Sequence, residues 1–363
     1  MFATIPHGLD MQIGIIGAGG ATRGIHLAGF ELCADAEVTM VCDADRDAAR
    51  ATGVRETCTD YHAVLARRDI DAVVVATPNF LHREIVLAAL AAGKHVLCEK
   101  PLALNRKEAE EMLRAAERAG RVHMTAFTYR FTPAIQYARY LIEQGELGQL
   151  RTVRAAYLMA LAGHVLAWRS EKRLAGSGVL ADIGSHLVHI TQYLVGDIRA
   201  LTASERRFRD DPASDVEDWI AFLAEFANDA TGTFEISRVA PGRGAGITED
   251  IFIELYGTKG SIVFSLQDPW GLMAALGEDA LDPTRPLRHY EVPQERLRIA
   301  GSPRDVMAHD RRWGYRYDQA FQFVESVKRG ETRAPSFADG VRCQAVLDAA
   351  LQSARERRWV EVA

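Results

Sequence analysis

Gly17-Ala18-Gly19-Gly20-Ala21-Thr22 stands between the apolar run Gln12–Ile16 and a helical stretch reaching about Cys33. A strand, a glycine-rich turn and a helix in that order constrain the fold more than any other segment. Gly17 permits the tight turn, and Gly19 lets a pyrophosphate approach the helix N-terminus. Gly20 and Ala21 complete the candidate phosphate-binding turn, while Thr22 takes a position where glycine or alanine is usual. The next strand-like run, Glu37–Cys42, ends at Asp43, 26 residues after Gly17. A carboxylate there accepts hydrogen bonds from ribose hydroxyls and repels a 2′-phosphate, which favours NAD over NADP. Arg46 lies close enough in sequence to leave NADP possible.

The same alternation continues to about Phe127. Ala72–Ala76 is a β-branched run closed by Thr77-Pro78-Asn79, and His82–Ala92 reads as a helix stopped at Gly93. His95–Cys98 is strand-like, and Asn105 opens a charged helix reaching Ala119. Strands alternating with helices imply a parallel sheet with right-handed crossovers. After Tyr129 the pattern changes. Pro133–Glu143 is helical, and Gly184–Leu194 is helix-like. Runs at 150–158, 200–207, 219–226, 231–239, 251–256 and 261–266 are spaced like antiparallel strands joined by hairpins. The expected fold is α/β: a Rossmann dinucleotide-binding domain over 1–128, then an α+β domain over 129–363 for substrate binding and oligomerisation. The second domain carries a large open, mostly antiparallel sheet. Residues 268–303 read as an extended excursion, and the last helix, about 339–355, is free to pack back on the first domain.

With 363 residues, 48% of them hydrophobic, the chain can bury two cores. A net charge of −6 argues against nucleic acid or an anionic membrane as partner. Arg206-Arg207-Phe208-Arg209 runs straight into two aspartates and reads as a solvated loop. The five cysteines are odd in number and lack CxxC spacing, which fits a reducing, cytoplasmic location without structural disulfides. No apolar run is long enough to span a bilayer, and residues 1–10 lack the pattern of a signal peptide.

Two further segments carry chemistry. In His95-Val-Leu-Cys-Glu99-Lys100-Pro101 the lysine leaves the carboxyl end of a parallel strand, where open α/β sheets bind ligands. In Asp182-Ile-Gly-Ser-His186-Leu-Val-His189 a helix would align a carboxylate and two imidazoles on one face. That spacing is compatible with a structural ion pair and packed histidines, with a metal site, or with a carboxylate-tuned acid–base histidine.

Together these segments resemble the Gfo/Idh/MocA family, the glucose–fructose oxidoreductase and inositol dehydrogenase group. The residues that carry the resemblance are Gly17–Thr22, Asp43, Thr77-Pro78-Asn79 with His82, Glu99-Lys100-Pro101 and Asp182 to His186; Glu254–Gly260 is similar as well. The resemblance implies an NAD(P)-dependent oxidoreductase acting on a carbinol carbon of a sugar, inositol or related polyol, without a metal. It implies a homodimer or homotetramer built through the C-terminal sheet, and a cis bond before Pro101. It maps catalysis onto Lys100, Asp182 and His186, with either Lys100 or His186 as proton acceptor. Glu99 becomes a neighbour of the nicotinamide ribose, beside Thr77, Pro78, Asn79 and His82. Tyr129, Arg130, His164, Trp168 and Arg169 are candidate substrate contacts, with core aromatics and surface arginines as the alternative. His189 stands where relatives often carry an aspartate. An NAD-dependent glycoside-cleaving enzyme and a non-enzymatic NAD sensor share this fold and are the rival readings.

Overall fold

A computed structural model describes residues 11–160, 167–244, 250–282, 284–311 and 313–362. The chain divides into two compact units. The first runs to Thr128 and adds Gly301–Asp305 and Arg316–Val341; the second holds Tyr129–Ala300, Val306–Tyr315 and the chain from Arg342.

The first unit contains a six-stranded parallel sheet of β1 (Met11–Ile16), β2 (Ala36–Cys42), β3 (Glu56–Cys58), β4 (Ala72–Val75), β5 (His95–Cys98) and β6 (His123–Thr125). Their order is β3-β2-β1-β4-β5-β6, so the sequence doubles back between β1 and β4. Ligands bind at such a reversal, outside the carboxyl ends of the strands. The central strands are apolar along their length because helices cover both faces. One core layer joins Ile16, Val73, Val75 and Cys98 to the helices Asn79–Ala91 and Arg106–Ala119. The opposite layer joins Ile13, Ile15, Val74 and Leu97 to Phe30 and to Ala320, Phe323, Val324 and Val327.

Those last four residues form one stripe of the helix Asp318–Arg329. Its apolar spacing explains why the region read as a continuous 129–363 domain is divided: the stripe finds its core on the parallel sheet. The helix Phe337–Glu356 begins among residues of the first unit and ends among those of the second.

Among the described residues the second unit holds nine strands: β7 (Leu150–Leu158), β8 (Ile198–Arg206), β9 (Trp219–Phe226), β10 (Thr231–Ser237), β11 (Asp250–Gly257), β12 (Ser261–Ser265), β13 (Gly271–Ala275), β14 (Arg288–Glu291) and β15 (Val360–Glu361). The order is β14-β13-β12-β11-β7-β10-β9-β8-β15, and only the central β7–β10 pair is parallel. Strands β13 and β14 lie inside the stretch read as an excursion. Its flanking prolines and glycines mask a short alternation in which Leu272 and Ala274 are buried and Met273 is not.

Register separates the two faces of this sheet. Phe222, Phe234, Ala155, Ile253 and Phe264 form one buried row, covered by the helices Pro133–Glu143 and Ser185–Val195. The opposite row is Leu223, Thr233, Arg154, Glu254, Val263 and Met273. Leu223 and Met273 are exposed there, and Arg154 pairs with Glu254 at 2.8 Å. No helix among the described residues is long and apolar enough to cross a membrane. All five cysteines are unbridged.

Candidate active site

In the first unit the glycine turn is shaped by close approach. Gly17 has φ +105°, and a Cβ there would lie 2.3 Å from the Ala76 carbonyl oxygen, so the turn touches the segment leading into Thr77. A Cβ added at Gly19 or Gly20 would meet nothing within 4 Å. That leaves room for a phosphate group to come up to the backbone, as the glycine pattern requires. Thr22 is buried, and its hydroxyl donates to the Gly17 carbonyl at 2.6 Å. The residue that loosens the match in sequence thus ties the turn to its own helix.

That helix opens as a π-turn over Thr22–His26, with the Leu27 amide donating to the Thr22 carbonyl. Single π-turns inside α-helices occur often at functional sites. This one carries His26, which the sequence reading missed. His26 is buried and lies 2.9 Å from Glu99. A hint was available: His26 follows Thr22 by one helical turn. Burial raises the Glu99 pKa, but the His26 contact, the Lys100 charge and the Lys100 amide outweigh it and leave the carboxyl below its ordinary value. Glu99 is therefore held as a carboxylate.

Asp43 is also fixed. One carboxylate oxygen accepts from the Ala18 amide at 2.6 Å and the other from the Asp45 amide at 2.9 Å. Its charge therefore stands directly beside the glycine turn, as a ribose-binding carboxylate must. Arg46 is exposed. His82 differs from its expected place. It is fully buried, with one ring nitrogen 3.0 Å from the Pro101 carbonyl and the other 3.0 Å from the Thr77 carbonyl. Its ring is spent on bracing the Thr77-Pro78-Asn79 turn against the Lys100-Pro101 turn and presents no atom to a ligand. Asn79 is buried in the first turn of the following helix. The Lys100–Pro101 bond is cis, and the Lys100 amide donates to Glu99 at 3.2 Å.

In the second unit a second π-turn, Leu180–Gly184, carries Asp182 and runs into the helix Ser185–Val195 with His186 and His189. Gly178 makes its entry possible: a Cβ there would lie 2.1 Å from the Glu217 carbonyl oxygen. The Glu217 carboxylate accepts from the Gly178 and Leu180 amides at 2.8 and 3.0 Å, which anchors the start of the turn. Asp182 pairs with Arg169 Nε at 3.2 Å, and the Arg169 guanidinium lies 4.4 Å from the Trp168 ring centre. His186 meets the Tyr129 ring edge-on at 4.5 Å, and the Tyr129 hydroxyl is 3.3 Å from that of Tyr157. Arg130 stacks on Tyr193 at 3.9 Å. Trp168, Arg169 and Asp182 are thus joined pair by pair, Tyr129 meets His186, and Arg130 is engaged with Tyr193. His164 lies outside the described residues. Among the described residues no group of three or more His, Cys, Asp or Glu is placed to hold a metal ion.

The two units carry different chemistries: a dinucleotide turn flanked by two fixed carboxylates, and a carboxylate gripped by an arginine at the start of a helix that carries two imidazoles. Residues 11–127 match the oxidoreductase family with an NAD-binding Rossmann fold, and residues 135–263 match the GFO/IDH/MocA C-terminal domain. The chain belongs to the Gfo/Idh/MocA family. It is 35% identical over 351 residues to levoglucosan dehydrogenase of Pseudarthrobacter phenanthrenivorans, covering 87% of this chain and 86% of the relative. It is 33% identical over 287 residues to 1,5-anhydro-D-fructose reductase of Ensifer adhaerens, covering 77% and 84%. A solved levoglucosan dehydrogenase in complex with NADH and levoglucosan superposes with a TM-score of 0.88 at 32% identity, over 97% of this chain and 99% of that one. This Gfo/Idh/MocA chain is an NAD-binding oxidoreductase by family, and its relatives include sugar and polyol dehydrogenases.

Proposed function

We propose that this chain oxidises a carbinol carbon of a sugar or polyol with NAD, and that Lys100, Asp182 and His186 act in the same reaction. What supports the reading most is the full-length likeness to an enzyme solved with NADH and levoglucosan, in a chain that keeps the lysine and the Asp–His pair. Bound NAD supplies the hydride acceptor. Gly17 to Thr22 receive its pyrophosphate, Asp43 its adenosine ribose and Glu99 its second ribose. His186 accepts the substrate hydroxyl proton, Asp182 stabilises the resulting imidazolium, and the Lys100 ammonium offsets charge developing on the oxygen. An absorbance screen for NADH across anhydrosugars, aldoses, inositols and sugar acids, run with NAD and with NADP, tests this. Stoichiometric NADH with at least one class is expected. Turnover of a glycoside without NADH accumulation would establish the glycoside-cleaving reading instead.

Arg169 acts through Asp182 rather than on the substrate. Arg169→Ala then lowers kcat by roughly 10-fold or more, because a small misplacement of a reacting group costs up to ~100-fold. Steady-state kinetics decide: a raised KM with unchanged kcat would make Arg169 a substrate contact. Trp168 and Tyr129 shape the surroundings of this pair.

The open face of the nine-stranded sheet, with exposed Leu223 and Met273 around the Arg154–Glu254 pair, is the surface through which the chain forms a homodimer or homotetramer. Light scattering should give two or four times the chain mass, and Leu223→Glu should lower it. A wild-type monomer at micromolar concentration rules the interface out.

A further inference from the structure

Arg206, Arg207 and Phe208 are exposed, as a solvated loop requires, but Arg209 turns inward. Arg209 from this connection and Arg238 from the end of β10 meet on one buried aspartate, Asp218. One Asp218 oxygen accepts from Arg209 Nε at 2.7 Å and from Arg238 Nε at 2.9 Å. The other accepts from the amides of Phe208 and Arg209 at 3.1 and 2.9 Å. Asp218 is 0% exposed and Arg238 1%. Both terminal nitrogens of both guanidiniums are shut off from solvent, and among the described residues no acceptor reaches any of the four.

Two cations therefore face one anion in a sealed place. A guanidinium stays protonated in proteins, so none of these donors is relieved by losing a proton. Buried polar groups are almost always hydrogen-bonded, and an unmet set of this size points to a bound ion or water. Nearby charges do not supply the missing acceptor. Both oxygens of Glu217 are taken by the Gly178 and Leu180 amides, Asp211 accepts from Ala213, and Arg207 is turned onto the Ser214 carbonyl. Among the described residues the four terminal nitrogens are left without an acceptor. A sealed site lined by four cationic donors fits a small anion rather than a phosphate ester or a dicarboxylate.

We propose that Arg209 and Arg238 bind a halide between their terminal nitrogens, and that this ion seats the segment bearing Asp182. The link runs through the backbone. Asp218 follows Glu217, whose carboxylate and carbonyl hold the amides of Gly178, Leu180 and Val179 at the entry to the π-turn. The Arg238 amide donates to the Asp218 carbonyl, so β10 is fastened to the same point. Halide binding is independent of the dehydrogenase reading; the effect on turnover rests on it.

Bromide is the probe, with protein purified in gluconate and saturated with NAD. Crystals grown in sodium bromide should show an anomalous peak about 3.3 Å from the terminal nitrogens of both arginines. At constant ionic strength, replacing gluconate with saturating bromide should raise the wild-type thermal midpoint by about 3 °C. The rise should vanish in Arg209→Gln. Arg209→Lys keeps the charge but loses the planar fork, and should need at least about 10-fold more bromide for the same rise. Absence of the peak overturns the site, as do equal bromide increments in wild type and both variants. A peak with the same turnover in bromide and gluconate overturns the link to Asp182.

Discussion

Lys100→Met should lower kcat by roughly 100- to 1000-fold while leaving the NAD dissociation constant within about threefold. Methionine keeps the length and apolar stem of lysine and deletes only the ammonium. A preorganised donor aimed at developing charge typically contributes ~3–4 kcal/mol, which sets that range. The surroundings of Lys100 explain why the backbone should survive the change. Its own amide is held by Glu99, Glu99 by His26, and the carbonyl of the following Pro101 by His82. The ammonium plays no part in those three contacts. Single-turnover NADH absorbance and nicotinamide fluorescence titration separate chemistry from cofactor binding. His186→Ala is expected to fall in the same range, and Tyr129 then loses the ring it meets edge-on. Near-normal turnover in either variant would remove that residue from the mechanism.

Lowering the pH from 7.5 to 5 should destabilise the first unit by several kcal/mol, through two buried histidines that have no part in the proposed chemistry. The Nδ1 atom of His95 accepts from the Val122 amide at 2.9 Å, and that of His123 from the Phe337 amide at 3.1 Å. Each bond requires an unprotonated Nδ1. Burial, reinforced by the Arg121 charge, pushes His95 down to about 4. Burial pushes His123 down to about 4 against the opposing charge of Asp339. The unfolded chain protonates these rings near 6.5. Between about pH 6.5 and 4 the unfolded state therefore binds more protons, and stability rises with pH across that window. The stabilisation is complete above about pH 6.5 and is lost as pH falls toward 4. Each histidine contributes on the order of 2–3 kcal/mol over the full window. His82, also held low by burial, adds in the same direction. Glu99, held below its ordinary value, loses its contribution only at lower pH. Urea midpoints at pH 7.5 and 5 measure the slope. In the double variant His95→Asn with His123→Asn, a side-chain oxygen can accept the same amides without titrating, so the slope should flatten. An unchanged slope would contradict the assignment.

The parallel half of the fold was legible because its signals are local. Asn105 accepts from the Glu108 amide and Gly120 closes the helix it opens, both as their types suggest. Strands β7 and β9 lie where β-branched and aromatic residues run. Illegible features depend on groups distant in the chain. Nothing near Asp318 announces that its helix packs on a sheet formed some 200–300 residues earlier. The Arg169–Asp182 pair, the Glu99–His26 contact and the meeting of Arg209 with Arg238 are tertiary facts. A π-turn leaves no periodic trace, since one extra residue in a helix only shifts its phase. Both π-turns carry candidate residues all the same, one His26 in the first unit and the other Asp182 in the second. Apolar period in β13 was hidden by brevity and by the glycine and prolines around it.

The three-piece composition of the first unit has a consequence during synthesis. When Thr128 leaves the ribosome all six parallel strands exist, yet Ile13, Ile15, Val74 and Leu97 still lack one of the helices that cover them. Domains ordinarily fold in the order in which they emerge. Here the nucleotide-binding half must wait, one face covered only in part by Phe30 and its neighbours, until Asp318–Arg329 has been translated, by which time most of the second unit is already out. A ribosome stalled between those points would expose a cofactor domain that cannot finish, and such a nascent chain is a natural client for a holdase.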